Sequence, residues 1–484
     1  MKVLLLNPPP KRVSEKKDIP RYQHVGIGYL ISALEQTEFP VRVIDAKLDR
    51  LGITDVLRIL HEYSPDVLCL TSMTHEVDTA ASLAHEYKTI NPDSKTILGG
   101  VHFSALPEET LKQYPWIDAG IIGEGELTLP RLLKDLDLNG DITSSLPGVV
   151  FTDHNGKIRR SENEWIRDLN SLPFPGWKYF KNAKDYIIIT SRGCPYSCIF
   201  CMQASGRVVR YRSPENIIEE IEKVLKEKKP EKFLFYDETF TLNRQQVFAI
   251  CDLLIQNGLH KIIKWSSTTR VDAVNRDILL KMKEAGCNHI EFGIESGNEK
   301  ILQRIKKNIT TQQAERAVSL AKELNFHTEG AFILGHPTET MKTALETIDF
   351  AAKLNPDIIQ LGIMVPYPGT EVRAMALKQE GGYRLLSNDW KEYNKQLGNA
   401  LELDTLSRAD LERIQLIGYL RLFIFNRRFT DLFKFIFNFR KEMISYLRNI
   451  FRRREKTRKS FISPLQAIQL IFRKSTDISP SSPR

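Results

Sequence analysis

The 484-residue sequence predicts an α/β protein: a doubly wound, Rossmann-like layer, then a partial six-stranded barrel, then a basic helical extension. Three observations carry that reading. Short apolar, β-branched runs alternate with helix-like segments over residues 1–145 and again over 181–371. Between the two blocks, residues 146–180 read as a connector. It holds Leu172-Pro173-Phe174-Pro175-Gly176-Trp177, a proline-stiffened link. Charge is also uneven. The chain sums to +9, but residues 421–484 alone hold 16 Lys and Arg against 4 Asp and Glu, so the first 420 residues sum to −3. A near-neutral body with a basic tail assigns the charge to a partner of the tail.

In the first block, strands are expected at 2–6, 41–44, 66–71, 96–98 and 119–122, with a helix at 28–35. Short buried strands separated by helices make a parallel sheet, and ligands bind at the carboxyl ends of such strands. Those ends read Asn7-Pro8-Pro9, Thr71-Ser72-Met73-Thr74, Gly99-Gly100-Val101-His102 and Gly123-Glu124-Gly125-Glu126. Glycines there let backbone approach a large ligand closely. In the connector, Asp153-His154-Asn155-Gly156 reads as a hairpin turn between 149–151 and 157–158.

In the second block, strands are expected at 186–190, 232–236, 263–268, 289–294, 329–334 and 358–363. Six repeats suit a partial barrel, whose chemistry also sits at the carboxyl ends of its strands. Helices fill the gaps, one of them at 214–227 with Ser213 as cap. Residues 372–420 read as helical and packed on the barrel.

The second block opens on Cys194-Pro195-Tyr196-Ser197-Cys198-Ile199-Phe200-Cys201. A structural zinc site wants four ligands, commonly in Cys-x-x-Cys pairs, and neither a second pair nor a His lies in this loop. A disulfide framework does not suit a long chain with six cysteines and an N-terminus that does not read as a signal peptide. Cys251 and Cys287 fall in helix- or strand-edge patterns and read as core thiols. Three thiolates on one loop can hold three corners of an iron–sulfur cube, leaving one iron open.

The Cys-x-x-x-Cys-x-x-Cys run after a strand, with Phe200 before its last cysteine, resembles the signature of the radical SAM superfamily. The strand-end loops of residues 1–140 look like the cobalamin-binding domain found in cobalamin-dependent members. The resemblance implies a 4Fe-4S cluster on Cys194, Cys198 and Cys201. It implies S-adenosylmethionine near Glu295, Asp237, Arg270, Ile333 and Gly335, and cobalamin near Asn7, Pro8, Ser72, Gly99, Gly100, His102, Gly123, Glu124 and Gly125. Glu295 can accept hydrogen bonds from ribose or ammonium, and Arg270 can fork onto a carboxylate. None of the ten histidines stands in an Asp-x-His-x-x-Gly context. Cobalamin is therefore expected without a His ligand, and His102 as a residue hydrogen-bonded to cofactor or backbone.

The chemistry so implied is cleavage of S-adenosylmethionine to a 5′-deoxyadenosyl radical, hydrogen abstraction from an unactivated carbon, and methyl transfer. Cyclisation or another rearrangement of a tetrapyrrole or lipid-like substrate uses the same parts. A transfer-RNA methylthiotransferase needs three further N-terminal cysteines, whereas this region holds Cys69 alone. A cobalamin or iron–sulfur sensor is the non-enzyme alternative. Expected partners are a small-molecule substrate and an electron donor such as flavodoxin or ferredoxin. No run of 18 apolar residues is present, and the compartment reads as the cytoplasm.

In the tail, Phe425, Phe429, Leu432, Phe433 and Ile436 follow helical spacing, while Phe433, Phe435, Phe437 and Phe439 alternate as a strand would. Arg452-Arg453-Arg454 and Arg458-Lys459 follow, and residues 475–484 read as disordered. An interfacial membrane helix, a helix docked on the barrel and a nucleic-acid patch all suit this pattern. The near-neutral body argues against RNA.

Overall fold

The computed structural model describes residues 1–10, 20–142, 146–395 and 398–438, with Gln466 and Leu470. The first sheet has seven strands: β1 (Val3–Asn7), β2 (Val41–Asp45), β3 (Val67–Thr71), β4 (Lys95–Gly99), β5 (Ala119–Ile121), β6 (Val149–Thr152) and β7 (Ile158–Arg160). Their order is β2-β1-β3-β4-β5-β6-β7. The first five are parallel and the last two antiparallel. Helices α1 (Val25–Leu34), α2 (Ile53–Tyr63), α3 (Val77–Ile90), α4 (Val101–Ala105), α5 (Pro107–Gln113) and α6 (Thr128–Asn139) accompany these strands. β1 is buried at every position, as a parallel strand covered on both sides must be.

The connector's hairpin forms as expected but does not stand apart. β6 and β7 extend the first sheet, and Gly156 takes the left-handed turn position at φ +74°. The proline link then folds back onto α1, where the Gly176 N–H donates to the Gly28 carbonyl at 2.9 Å.

The second sheet comprises β8 (Asp185–Ile188), β11 (Lys232–Phe235), β12 (Trp265–Thr269), β13 (Cys287–Glu295), β14 (His327–Leu334) and β15 (Ile358–Ile363), all parallel and in sequential order from edge to edge. β8 and β15 do not pair, so the barrel is open. Between β8 and β11 a two-stranded ribbon, β9 (Ser191–Arg192) and β10 (Arg210–Tyr211), brackets the cysteine loop. Helices α7 (Pro214–Glu227), α8 (Arg244–Gln256), α9 (Arg276–Glu284), α10 (Glu299–Arg304), α11 (Thr311–Glu323) and α12 (Met341–Leu354) cover the outside. The Ser213 hydroxyl caps α7 by accepting from the Asn216 N–H. Cys251 and Cys287 lie in the barrel core.

Residues 372–420 depart from the helical expectation. α13 (Glu371–Lys378) is followed by a hairpin of β16 (Tyr383–Leu385) and β17 (Leu401–Leu403). The excursion between those strands carries Trp390 and Tyr393 into the apolar core of the first sheet. α14 (Arg408–Phe425) then runs through residue 420, so the change of composition there falls inside a helix. Arg421 is buried and pairs with Asp349 of α12 at 2.6 Å. α15 (Phe429–Asn438) settles the tail ambiguity over 429–438 in favour of a helix, because Phe435 packs on Tyr419 and Phe423 of α14. Phe439, the arginine runs and residues 475–484 lie outside the described residues.

Candidate functional site: two facing sheet edges

The strand order of the first sheet reverses beside β1, which opens a crevice at the carboxyl edge. A cavity there is walled by Leu5, Cys69, Ile97 and Ile121 from the strands and by Ile27, Leu30 and Leu129 from α1 and α6. Its rim is glycine: Gly99, Gly100, Gly123 and Gly125. Gly100 sits at φ +95°, where an added Cβ would lie 2.7 Å from the Ser72 backbone. Gly125 has ordinary φ, and an added Cβ would meet Leu30 at 3.2 Å.

Three buried side chains at this edge hold polar atoms without partners among the described residues: both amide atoms of Gln23, the Ser72 hydroxyl and Nδ1 of His102 in α4. Leaving such a group unpaired costs about 1–3 kcal/mol. The His102 ring lies edge-on to Trp390, 4.9 Å away, and burial pushes its pKa down to about 4. Its backbone N–H donates to the Ser72 carbonyl.

Three expected residues of this edge are engaged elsewhere. Asn7 donates to Asp45 at 2.7 Å, which ties β1 to β2, and Pro8 is buried beside it. The Glu124 carboxylate turns away from the cavity and accepts from Arg192 at 3.0 Å and Arg210 at 2.7 Å.

The second edge is organised by charge. Gly193, at φ +105°, starts the cysteine loop, and an added Cβ would stand 2.4 Å from the Val208 carbonyl oxygen. Cys194 and Cys198 are half-buried and Cys201 is exposed. Desolvation by the surrounding loop, reinforced by the Cys198 thiol, pushes Cys201 up to about 12. Burial also raises Cys198, against the pull of Lys307 and Arg270. Among the described residues no three His, Cys, Asp or Glu side chains converge as ligands of one metal ion would. A cubane asks something different, one thiolate for each of three irons, and a bound metal stabilises the thiolate outright.

The expected residues of this edge brace the loop. Asp237 accepts from the Thr190 N–H at 2.8 Å, the Ser191 N–H at 2.9 Å and the Thr190 hydroxyl, and burial lifts its pKa to about 6. Its neighbour Glu238 is exposed at the same strand end. Arg270 forks onto Asp272, donates to the Lys307 carbonyl at 2.7 Å and stacks 3.7 Å from the Tyr196 ring. Both were expected on S-adenosylmethionine, and the structure commits both to the cysteine loop and its neighbours.

Glu295 sits at a bulge in β13 with φ +70° and accepts from Lys307 Nζ at 2.9 Å. Burial lowers the Lys307 pKa, but Glu295 and Cys198 outweigh it, and the net shift is upward. Gly293 makes room for this pair, since an added Cβ would lie 2.8 Å from Glu295 Oε1 and 3.0 Å from Lys307 Nζ. Gly335, after the buried Ile333, has its N–H held by Glu339 and its carbonyl by the Tyr383 hydroxyl.

The concave face of the barrel is polar. Glu291 accepts from Thr268 at 3.3 Å, and burial together with Glu329 raises its pKa. The Tyr22 and Tyr236 rings stand 6.5 Å apart near Glu291. Lys395 lies against Gly362 from the opposite side. Sequence reading missed Tyr22, Gln23, Glu291, Lys307 and Lys395, none of which stands in a strand-end motif.

The two edges face each other. Gly369, in the loop after β15, is wedged between them: a Cβ there would meet Met202 of the cysteine loop at 3.1 Å and Ala105 of α4 at 3.3 Å. A glycine-rimmed crevice opposed to a three-thiol loop defines an α/β enzyme with two cofactor sites.

The Radical SAM superfamily profile matches residues 188–351, and the B12 binding domain profile matches 20–133. An uncharacterized methyltransferase of Pyrococcus horikoshii is 34% identical over 403 residues, covering 81% of this chain and 86% of the relative. An anaerobic magnesium-protoporphyrin IX monomethyl ester cyclase of Cereibacter sphaeroides is 30% identical, covering 76% and 62%. A similar solved fold is the radical S-adenosylmethionine methyltransferase TsrM of Kitasatospora setae with cobalamin and [4Fe-4S] cluster bound, at TM-score 0.66 and 20% identity, covering 86% and 85%. The chain belongs to the radical SAM superfamily, in the branch that carries an N-terminal B12-binding domain. It is a cobalamin-dependent radical SAM enzyme, and its cofactors are a 4Fe-4S cluster, S-adenosylmethionine and cobalamin.

The residues fit these groups. Three thiols on one loop, with Lys307 and Arg270 beside Cys198 to favour its thiolate, suit a cluster. An apolar slot rimmed by glycine, with orphaned amide and hydroxyl groups beside it, suits a corrinoid's flat base and amide side chains. Among the described residues, no helix is long and apolar enough to cross a membrane.

Proposed function

We propose that the chain methylates an unactivated carbon of a small, hydrogen-bonding molecule held on the concave face of the barrel. The facing of the two edges across Met202, Gly369 and Ala105 carries this reading, because it sets the cysteine loop against the edge that holds the glycine-rimmed crevice. When bound, the cluster supplies an electron to S-adenosylmethionine and cobalamin supplies a methyl carrier.

Cys194, Cys198 and Cys201 hold three irons. Glu295 offers a carboxylate to the ribose or ammonium of S-adenosylmethionine, and its pairing with Lys307 fixes where that carboxylate stands. Ile333 and Gly335 form an apolar, close-packed wall. Asp237 and Arg270 keep the cysteine loop in register rather than touching ligand. Gly99, Gly100, Gly123 and Gly125 admit the corrinoid, with Gln23, Ser72 and His102 as its polar contacts. Glu291, Tyr22 and Tyr236 meet the substrate, whose hydroxyl or amine groups they can bind. This polarity favours a hydrogen-bonding substrate over a purely lipid-like one.

Similarity to the cyclase supports a second reading, oxidative ring closure. The products separate the two. Methyl transfer from S-adenosylmethionine leaves S-adenosylhomocysteine beside 5′-deoxyadenosine, whereas ring closure needs 5′-deoxyadenosine alone. The reconstituted enzyme, supplied with reductant and a metabolite extract, is expected to release both. Release of 5′-deoxyadenosine alone would rule out methylation.

A one-electron carrier such as flavodoxin or ferredoxin is the proposed reductant. Exposed Phe429, Phe433, Ile436 and Phe437 on α15 support peripheral contact with an anionic lipid surface. Flotation with acidic liposomes should fall when Phe429 and Phe433 are both changed to Ser. Unchanged flotation would remove the lipid contact.

A further inference from the structure

The loop Gly123-Glu124-Gly125-Glu126 has two sides. Its glycines line the cavity of the first edge. Its glutamates point the other way and grip the ribbon that carries the cysteine loop. Arg192, two residues before Cys194, donates to Glu124 at 3.0 Å and to Glu126 at 2.7 Å. Arg210, its partner across the ribbon, donates to the second oxygen of Glu124 at 2.7 Å. The same oxygen accepts from the Ile166 N–H at 2.9 Å. The Arg192 guanidinium also lies 4.8 Å from the ring of Tyr29 on α1, the helix that supplies Ile27 and Leu30 to the cavity wall. All four charged side chains are nearly buried, with side-chain exposures between 6% and 12%.

Two cations and two carboxylates balance, so the group is neutral as a unit. Breaking one member strands a buried charge without its partner. Fork geometry fixes orientation as well as distance. Gly193, which joins Arg192 to Cys194, sits at φ +105° where an added Cβ would stand 2.4 Å from the Val208 carbonyl oxygen.

From this placement we infer that Arg192 is a positioning residue that couples the two cofactor sites. A corrinoid seated on Gly123 and Gly125 fixes Glu124 and Glu126, these fix Arg192, and Arg192 fixes the start of the cysteine loop. By linkage, an assembled cluster then tightens corrinoid binding by the same factor that corrinoid stabilises the cluster. The inference rests on the corrinoid site proposed above.

The test uses the full chain and hydroxocobalamin, with binding followed by visible absorbance. Protein is taken iron-free and after anaerobic reconstitution with iron and sulfide. In the wild type, reconstitution should lower the hydroxocobalamin Kd by about fivefold or more, the lower end of ordinary coupling energies. In Arg192→Met combined with Glu126→Gln, each cofactor should still bind alone while the Kd ratio falls to about one. The second substitution leaves Glu124 paired with Arg210 and no carboxylate of the group without a cation. Amide exchange over residues 192–201 gives a second readout. Hydroxocobalamin should protect that segment in iron-free wild type, and this decides the matter even if the double variant fails to fold.

A wild-type ratio near one, a wild-type ratio retained in the folded variant, or no protection of 192–201 would each overturn the inference. Failure of wild-type protein to take up hydroxocobalamin at all would instead sink the corrinoid site, and the coupling with it.

Discussion

The two carboxyl edges solve different problems with different residues. The first is built from absence: glycines without side chains, an apolar slot, and buried polar atoms with nothing to bind. The second is built from charges already spent on one another: Glu295 with Lys307, Arg270 with Asp272, Asp237 with the backbone at Thr190 and Ser191. A large preformed cofactor needs room and a few waiting hydrogen bonds. A cluster carried by a loop needs that loop held still. Each edge should therefore fail in its own way.

The largest effect is expected from Cys198→Ala. Iron content and 5′-deoxyadenosine formation should both fall to background, while hydroxocobalamin uptake by iron-free protein stays as in wild type. Loss of both cofactors together would mean that the edges are not separable.

Gly125→Leu should do the reverse. The new side chain projects at Leu30 into the slot and should raise the hydroxocobalamin Kd by at least about tenfold, roughly 1.4 kcal/mol. Iron content in the absence of corrinoid should not change. Unaltered corrinoid binding would place the cofactor elsewhere.

Gly293→Ala is the subtler probe of the charged edge. The added methyl forces apart a buried pair, and overpacking of this kind costs about 1–3 kcal/mol. The Kd for S-adenosylmethionine, read by equilibrium dialysis, should rise about fivefold if 1 kcal/mol of that falls on the ligand site. A Kd within error of wild type would detach Glu295 from the ligand.

The smallest effect concerns pH. Burial raises Glu339 to about 8 despite hydrogen bonds from the Gly335 and His336 N–H groups. The folded state therefore holds a proton that the unfolded chain has lost, and stability falls as pH rises from 6.5 to 8. Buried His102 and His336, both lowered to about 4, act in the opposite direction as the unfolded chain loses its histidine protons near pH 6.5, so the Glu339 contribution is read as a difference between two proteins that share them. Between pH 6.5 and 8 the Tm of the wild type should fall relative to that of Glu339→Gln. Equal slopes would refute the assignment.

Sequence alone located every strand of the barrel, because short β-branched runs in regular alternation with helices leave little else to form. It placed the cysteine loop and the glycine rim for the same reason: spacing and residue type are local properties. Roles were less legible. Asp237, Arg270 and Glu124 have the right chemistry at the right strand ends, but a sequence does not record which neighbours consume their hydrogen bonds. Lys307 and Gln23 come from loops that no strand-end pattern samples. The hairpin of Tyr383–Leu385 and Leu401–Leu403 is too short to show a two-residue period. In the tail, alternating phenylalanines matched two periods at once, and only the packing of Phe435 on α14 chose between them.

The central claim is that one chain holds a cluster and a corrinoid on two opposed and separately breakable edges. Anaerobic reconstitution followed by visible spectroscopy, iron analysis and corrinoid analysis tests it most directly. Both the broad iron–sulfur absorption and the corrinoid bands are expected in the wild type, the corrinoid bands alone in Cys198→Ala, and the iron–sulfur absorption with weakened corrinoid bands in Gly125→Leu. Wild-type protein that assembles a cluster yet retains no corrinoid would contradict it.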